Sequence, residues 1–117
     1  MKENFKRNIF FYKHYYLDFF KKQSSAVQKK INWTIELIMT IEMVPKKYFN
    51  HMEGTDGLFE IRVEVGSNIF RVFSFFDEGN LVILLNGFQK KSQKTPKNEI
   101  ELAEKLKKEY FNEKANQ

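Results

Sequence analysis

The chain has 117 residues, 42% of them apolar, a net charge of +5 and no cysteine. That implies a single domain, 1-117, with a core of ordinary size, and it excludes disulfides, thiol nucleophiles and cysteine metal sites. The basic balance suits a polyanionic partner, no apolar segment is long and uncharged enough for a membrane span or secretory leader, and the expected setting is the cytoplasm.

Residues 8–13, NIFFYK, are aromatic and β-branched and read as a first strand. A short helix around residues 15–22 follows. Ser24 or Ser25 then serves as N-cap for a long helix, where Val27, Ile31, Thr34, Ile35, Ile38 and Ile41 recur at the three- and four-residue spacing of one buried face. Pro45 ends that helix, and PKKYFNHMEGTDG reads as loop.

The period then becomes two. GLFEIRVEV and NIFRVFSFFD are separated by Gly66-Ser67, which suits a two-residue hairpin because glycine accepts a positive φ at the first turn position. DEGN makes a second turn before LVILLNGF, so three strands form an antiparallel meander. Thr95 as N-cap and Pro96 at the first helical position open a last helix with Ile100, Ala103, Leu106 and Tyr110 on one face. The order of elements predicts an α+β fold, an antiparallel sheet with an N-terminal helical hairpin and a C-terminal helix.

The hairpin register places Arg62 directly opposite Arg71, and a Glu78-Gly79 turn would place Asn86 beside Arg71 on the third strand. Opposed arginines repel. Either Glu60 and Glu64, diagonal neighbours, neutralise them in a surface network, or the pair grips a phosphate, which the planar guanidinium fork suits. One short step away the chain runs through Lys90, Lys91, Lys94 and Lys97 with no acid among them.

Other candidates carry less. His51 lies in the loop before the sheet, and His14 sits among aromatics as a packing residue. Glu60 is first a salt-bridge partner and second a general base. Trp33 falls among helix residues and reads as packing. No histidine pair has metal-ligand spacing, so neither a metal nor another cofactor is expected.

The stretch GLFEIRVEVGSNIFRVFSFFDEGNLVILLNGFQKKSQKTPKNEIELA resembles the core of the phage-derived, HigB-like branch of the RelE/ParE toxin superfamily. The shared pattern is Leu-aromatic-Glu-Ile-Arg, aromatic-Arg-Val, a Phe-Phe hairpin, Gly-Phe-x-Lys-Lys-x-x-x-Thr-Pro and a Glu-rich helix, over residues 57–110. The resemblance implies a RelE-like, microbial-ribonuclease-type fold. It also implies the toxin of a type II toxin–antitoxin module, inhibited by a helix-turn-helix antitoxin and cleaving mRNA on the ribosome without a metal. On that pattern Arg71 would hold the scissile phosphate with Arg62 assisting. Lys90 and Lys91 would border the reaction and contribute to proton transfer. Lys94, Lys97 and Asn86 would bind the RNA strand. Gln89, Ser92 and Gln93 stand where several relatives carry a histidine or tyrosine. Two other implied readings are a ParE-like inhibitor of DNA gyrase that cleaves nothing, and an inactive member that only binds antitoxin or nucleic acid.

Overall fold

The computed structural model describes residues 5–117, and the chain order is β1 (Asn8–Phe11), α1 (Tyr15–Lys21), α2 (Ser25–Thr40), β2 (Phe49–His51), β3 (Leu58–Val65), β4 (Asn68–Phe76), β5 (Leu81–Lys90) and α3 (Lys97–Ala115). The five strands form one sheet in the order β1-β5-β4-β3-β2. β1 runs parallel to β5, and the other neighbours are antiparallel. The α+β architecture and the helix positions agree with the sequence.

Alternation along the strands divides the apolar side chains between two layers. Ile61, Val63, Phe70, Val72, Val82 and Leu84 pack with Tyr16 and Phe19 of α1 and Val27, Ile31 and Ile38 of α2. Leu58, Phe73, Phe75, Ile83, Leu85 and Phe88 pack with Ala103 and Leu106 of α3. The helices therefore cover both faces of the sheet, with α3 on part of the face toward which Arg62 and Arg71 point. Ser24 caps α2, its side chain accepting a hydrogen bond from the Val27 backbone N–H. At α3 the cap position falls on Pro96 and not Thr95, with no side-chain cap bond, and the helix opens at Lys97.

Two departures from expectation shape the site. The segment read wholly as loop contains β2, whose three residues pair with Phe59, Glu60 and Ile61 of β3. Three residues show no usable periodicity, so their pairing follows from the backbone of β3 and not from their own pattern. The second departure is the β4–β5 register. The β3–β4 hairpin is as expected, with Gly66 at φ 60° in the turn and Arg62 opposite Arg71. Between β4 and β5, however, Val72 faces Gly87 while Ser74 faces Leu84. Phe73 thus stands against two residues, Leu85 and Asn86, in a β-bulge. The turn already sets Phe76 against Val82, one residue beyond the expected register, and the bulge adds one more, so Phe88, and not Asn86, stands opposite Arg71.

Gly87 is where α1 meets the sheet. A Cβ at that position would lie 2.5 Å from Cδ2 of Phe19, so the bare backbone is what lets the Phe19 ring settle there.

Candidate functional site

Arg62 and Arg71 are neighbours across β3 and β4 and share one carboxylate. Glu60 Oε1 lies 3.3 Å from Arg62 Nε and 3.7 Å from Arg71 Nε. The second expected acid, Glu64, forms no ion pair within 4 Å among the described residues. Two guanidinium groups on one carboxylate leave the trio with one net positive charge.

The arginines differ in access. The Arg71 side chain is 2% exposed and the Arg62 side chain 34%. One Arg71 terminal nitrogen, Nη1, donates to the Phe70 carbonyl at 3.0 Å. Among the described residues its buried Nε has no hydrogen-bond partner, and 3.7 Å to Glu60 is too long to supply one. Burial lowers the Arg71 pKa, Glu60 opposes that shift and Arg62 adds to it, yet a guanidinium remains charged at neutral pH. A charged group in a dry setting without its full set of acceptors is costly to maintain. It also projects its field further than a solvated one.

Of the four lysines, the strand register brings Lys90 near this pair. Lys90 is the last residue of β5 and faces Ile69, one alternation beyond the Arg71–Phe88 pair, so its side chain leaves the sheet on the same face as Arg71. Lys91 and Lys94 follow on the exposed connection to α3, and Lys97 is the exposed first residue of that helix. Among the described residues none of the four forms an ion pair within 4 Å. Arg62 also borders a hollow of about 240 Å³ with Lys30, Lys47, Tyr48 and Glu64. Positive charge therefore extends to both sides of the arginine pair.

Asn86 is elsewhere than the sequence reading placed it. It is 3% exposed, and its Nδ2 donates to Glu99 Oε1 at 3.0 Å and to the Glu99 carbonyl at 3.1 Å. The residue ties the bulge of β5 to the first turn of α3, and it does not complete a row with Arg62 and Arg71. Local pattern could not have shown this, because the extra residue in β5 is accommodated by α3, which follows it in sequence.

The two histidines also fall apart from the arginines. His51 faces Phe59 across β2 and β3, with the rings 5.2 Å apart. Phe59 lies on the α1–α2 face, the side opposite Arg71. His14 is exposed yet stacks on the Tyr15 ring, with centroids 4.6 Å apart, and its Nδ1 is 2.7 Å from Asp18 Oδ2. It borders a hollow with Lys22, Asn86 and Glu99. The His14–Asp18 spacing of one helical turn was a readable signal for this dyad.

Comparison with known proteins agrees with the geometry at the level of family and fold. No curated protein sequence matches the chain. A chain of the archaeal RelE–RelB complex from Pyrococcus horikoshii OT3 superposes with a TM-score of 0.51 at 18% identity, over 70% of this chain and 92% of that one. The fold is thus the RelE fold, as the resemblance implied. Residues 18–108 match the family described as Phage derived protein Gp49-like, and the chain belongs to that phage-derived family.

Proposed function

We propose that the chain is the toxin of a type II toxin–antitoxin module, of the HigB-like kind, acting as one domain in the cytoplasm as a ribosome-dependent mRNA endoribonuclease. The observation that carries this reading is the Arg62–Arg71 pair held around a single carboxylate, with Lys90 one alternation along the sheet. In the proposed reaction the ribose 2′-oxygen attacks the adjacent phosphorus, its proton passes to a base, and the 5′-oxygen leaves with a proton from an acid. Negative charge builds on the phosphoryl oxygens as this happens, and fixed cations stabilise it more than they stabilise the ground state. Arg62 and Lys90 have the access to meet the phosphate. Arg71 acts from beneath, adding its charge where the dielectric is low. Lys91 contributes to proton transfer, and Lys94 and Lys97 hold the strand. The ribosome positions the message, which lessens what the protein's own acid–base groups must supply. An antitoxin partner is supported by the structural neighbour, which was solved as a RelE–RelB complex.

The burial of Arg71 favours a second reading, in which the fold binds its partner or target without cleavage, as an inhibitor of DNA gyrase or an inactive member. Tightly controlled expression with mapping of message 5′ ends separates the two. Cuts inside translated codons, lost on Arg71→Ala, are expected. Growth arrest with intact messages and DNA damage would support gyrase as the target, and the absence of toxicity would support binding alone.

A further inference from the structure

Arg62 leads away from the arginine pair to a surface on the opposite side from the lysine cluster. β2 pairs with β3 only as far as Ile61, and beyond it the Arg62 N–H donates to the Tyr48 carbonyl, so among the described residues the end of β3 has no strand neighbour there. α2 borders this open edge. Trp33 of α2 is 44% exposed and meets the Tyr48 ring edge-on, with centroids 5.4 Å apart. Lys30 Nζ lies 4.2 Å from the centre of the Trp33 ring, and Lys47 Nζ lies 5.0 Å from that of Tyr48. The hollow shared by Arg62, Lys30, Lys47, Tyr48 and Glu64 adjoins a second one, lined by Lys29, Lys30 and Trp33 among others, with Lys30 and Glu64 common to both. Glu64 is the one acid on either lining, against Lys29, Lys30, Lys47 and Arg62. Among the described residues none of these three lysines forms an ion pair within 4 Å.

We infer that this edge is a binding shelf for single-stranded nucleic acid, with bases stacked on Trp33 and Tyr48 and phosphates held by Lys29, Lys30, Lys47 and Arg62. A single strand alternates apolar planes with anions, and this surface alternates aromatic rings with cations. An acidic peptide would use the lysines but leave the two rings without a role. A duplex keeps its bases stacked on one another and offers none to Trp33. The lysines now resting on the rings do not block the site. An exposed cation–π contact is weaker than a charge-assisted hydrogen bond to phosphate, so an arriving strand draws Lys30 and Lys47 to its backbone and uncovers the rings. The shelf deepens the ribonuclease reading, since Arg62 joins it to the proposed cleavage site and gives the message a path across the sheet edge. Binding at the shelf itself needs no cleavage.

Trp33 is the sole tryptophan of the chain, so its fluorescence reports on the shelf directly. Titration with a short oligodeoxythymidylate, which lacks the 2′-hydroxyl and cannot be cleaved, should quench that fluorescence saturably. Four phosphate contacts on a single strand predict a loss of affinity of about 50-fold between about 50 and about 200 mM salt. The double variant Lys30→Ala/Lys47→Ala should lower the salt slope by about 1.4. Trp33→Ala should weaken binding of a labelled oligonucleotide about tenfold, with Trp33→Phe restoring most of it and both variants melting within a few degrees of the parent. Unchanged fluorescence on saturation, quenching by a duplex of equal length, or competition by oligoglutamate at equal charge would each overturn the shelf. Its fate is separable from that of the cleavage reading. Arg71→Ala should abolish message cutting and leave the quenching intact, whereas cutting without quenching would retain the ribonuclease and discard the shelf.

Discussion

Arg71 Nε lies 3.7 Å from Glu60 Oε1, with the two side chains 2% and 12% exposed. A charge pair this dry and this long is a poor stabiliser, since the cost of desolvating two ions is repaid only by close geometry. Removing Arg71 is nevertheless expensive: Glu60 keeps Arg62 as its partner at 3.3 Å, but a large, fully buried side chain gives way to a cavity. Arg71→Ala is therefore expected to cost about 3 kcal/mol of stability, measured by denaturant unfolding. Replacing both residues together, Arg71→Met with Glu60→Leu, should cost less than Arg71→Ala alone. Toxicity should vanish in Arg71→Ala and in the double variant alike. A double variant that is well folded yet fully toxic would remove Arg71 and Glu60 from the mechanism.

The lysines allow the opposite test, function without stability. Lys91, Lys94 and Lys97 are exposed and form no ion pair within 4 Å among the described residues, so changing each to alanine should alter stability by less than about 0.5 kcal/mol. Each lost phosphate contact should reduce the salt slope of single-strand RNA binding by about 0.7. Filter binding over a salt series measures this. An unchanged slope in the triple variant would show that the basic wall does not face RNA.

The arginine pair was legible because two independent signals set one register. Gly66-Ser67 defines the turn, and strict alternation through Ile61, Val63, Phe70 and Val72 forbids a one-residue slip that would turn the core side chains outward. The β4–β5 register had no such lock. LVILL is apolar at successive positions because both faces of β5 are covered, Val82 and Leu84 by one layer and Ile83 and Leu85 by the other. A strand buried on both faces loses alternation as a guide, and the bulge at Leu85 and Asn86 passed unseen. An arginine in an alternating strand marks the face its side chain takes, but the pattern does not say how deeply that position is buried. β2 was missed for a third reason, its length.

Asn86 and Gly87 sit together in the bulge region but should fail differently. Asn86→Ala removes both hydrogen bonds to Glu99 and is expected to cost about 1–3 kcal/mol, with hydrogen exchange rising most in the first turns of α3. Gly87→Ala sets a methyl group 2.5 Å from the Phe19 ring and should cost about 1–3 kcal/mol through overpacking, loosening α1 instead. Combining Gly87→Ala with Phe19→Leu tests the cause, because a smaller side chain on α1 should recover part of the loss. Failure of that recovery would place the strain in the β5 backbone.

The far end of α3 is fastened by charge, and pH should reveal it. Asp77 accepts hydrogen bonds from Lys114 at 2.8 and 3.0 Å and from the Tyr110 hydroxyl at 2.6 Å. The Lys114 bond first, and then the Tyr110 bond, holds the Asp77 carboxyl below the usual carboxylate range. Its contribution is thus present above the ordinary carboxylate pKa of about 4 and is lost as pH falls through the lowered folded value. Tyr110 shifts the other way, to about 12, through burial first and the bond to Asp77 second. Lys114 is raised as well, chiefly by its bond to Asp77. Their contributions are complete below the ordinary pKa values and fade as pH rises from about 10 through the raised ones. Thermal melts across this range should show a plateau with two shoulders. Asp77→Asn should lower the plateau, flatten the acid shoulder and shrink the alkaline one, because the charge that supports Lys114 is gone. Tyr110→Phe should leave most of the acid shoulder, since the Lys114 bond remains. An acid shoulder unchanged in Asp77→Asn would assign the acid sensitivity to another carboxylate and loosen the claim that this clip holds α3.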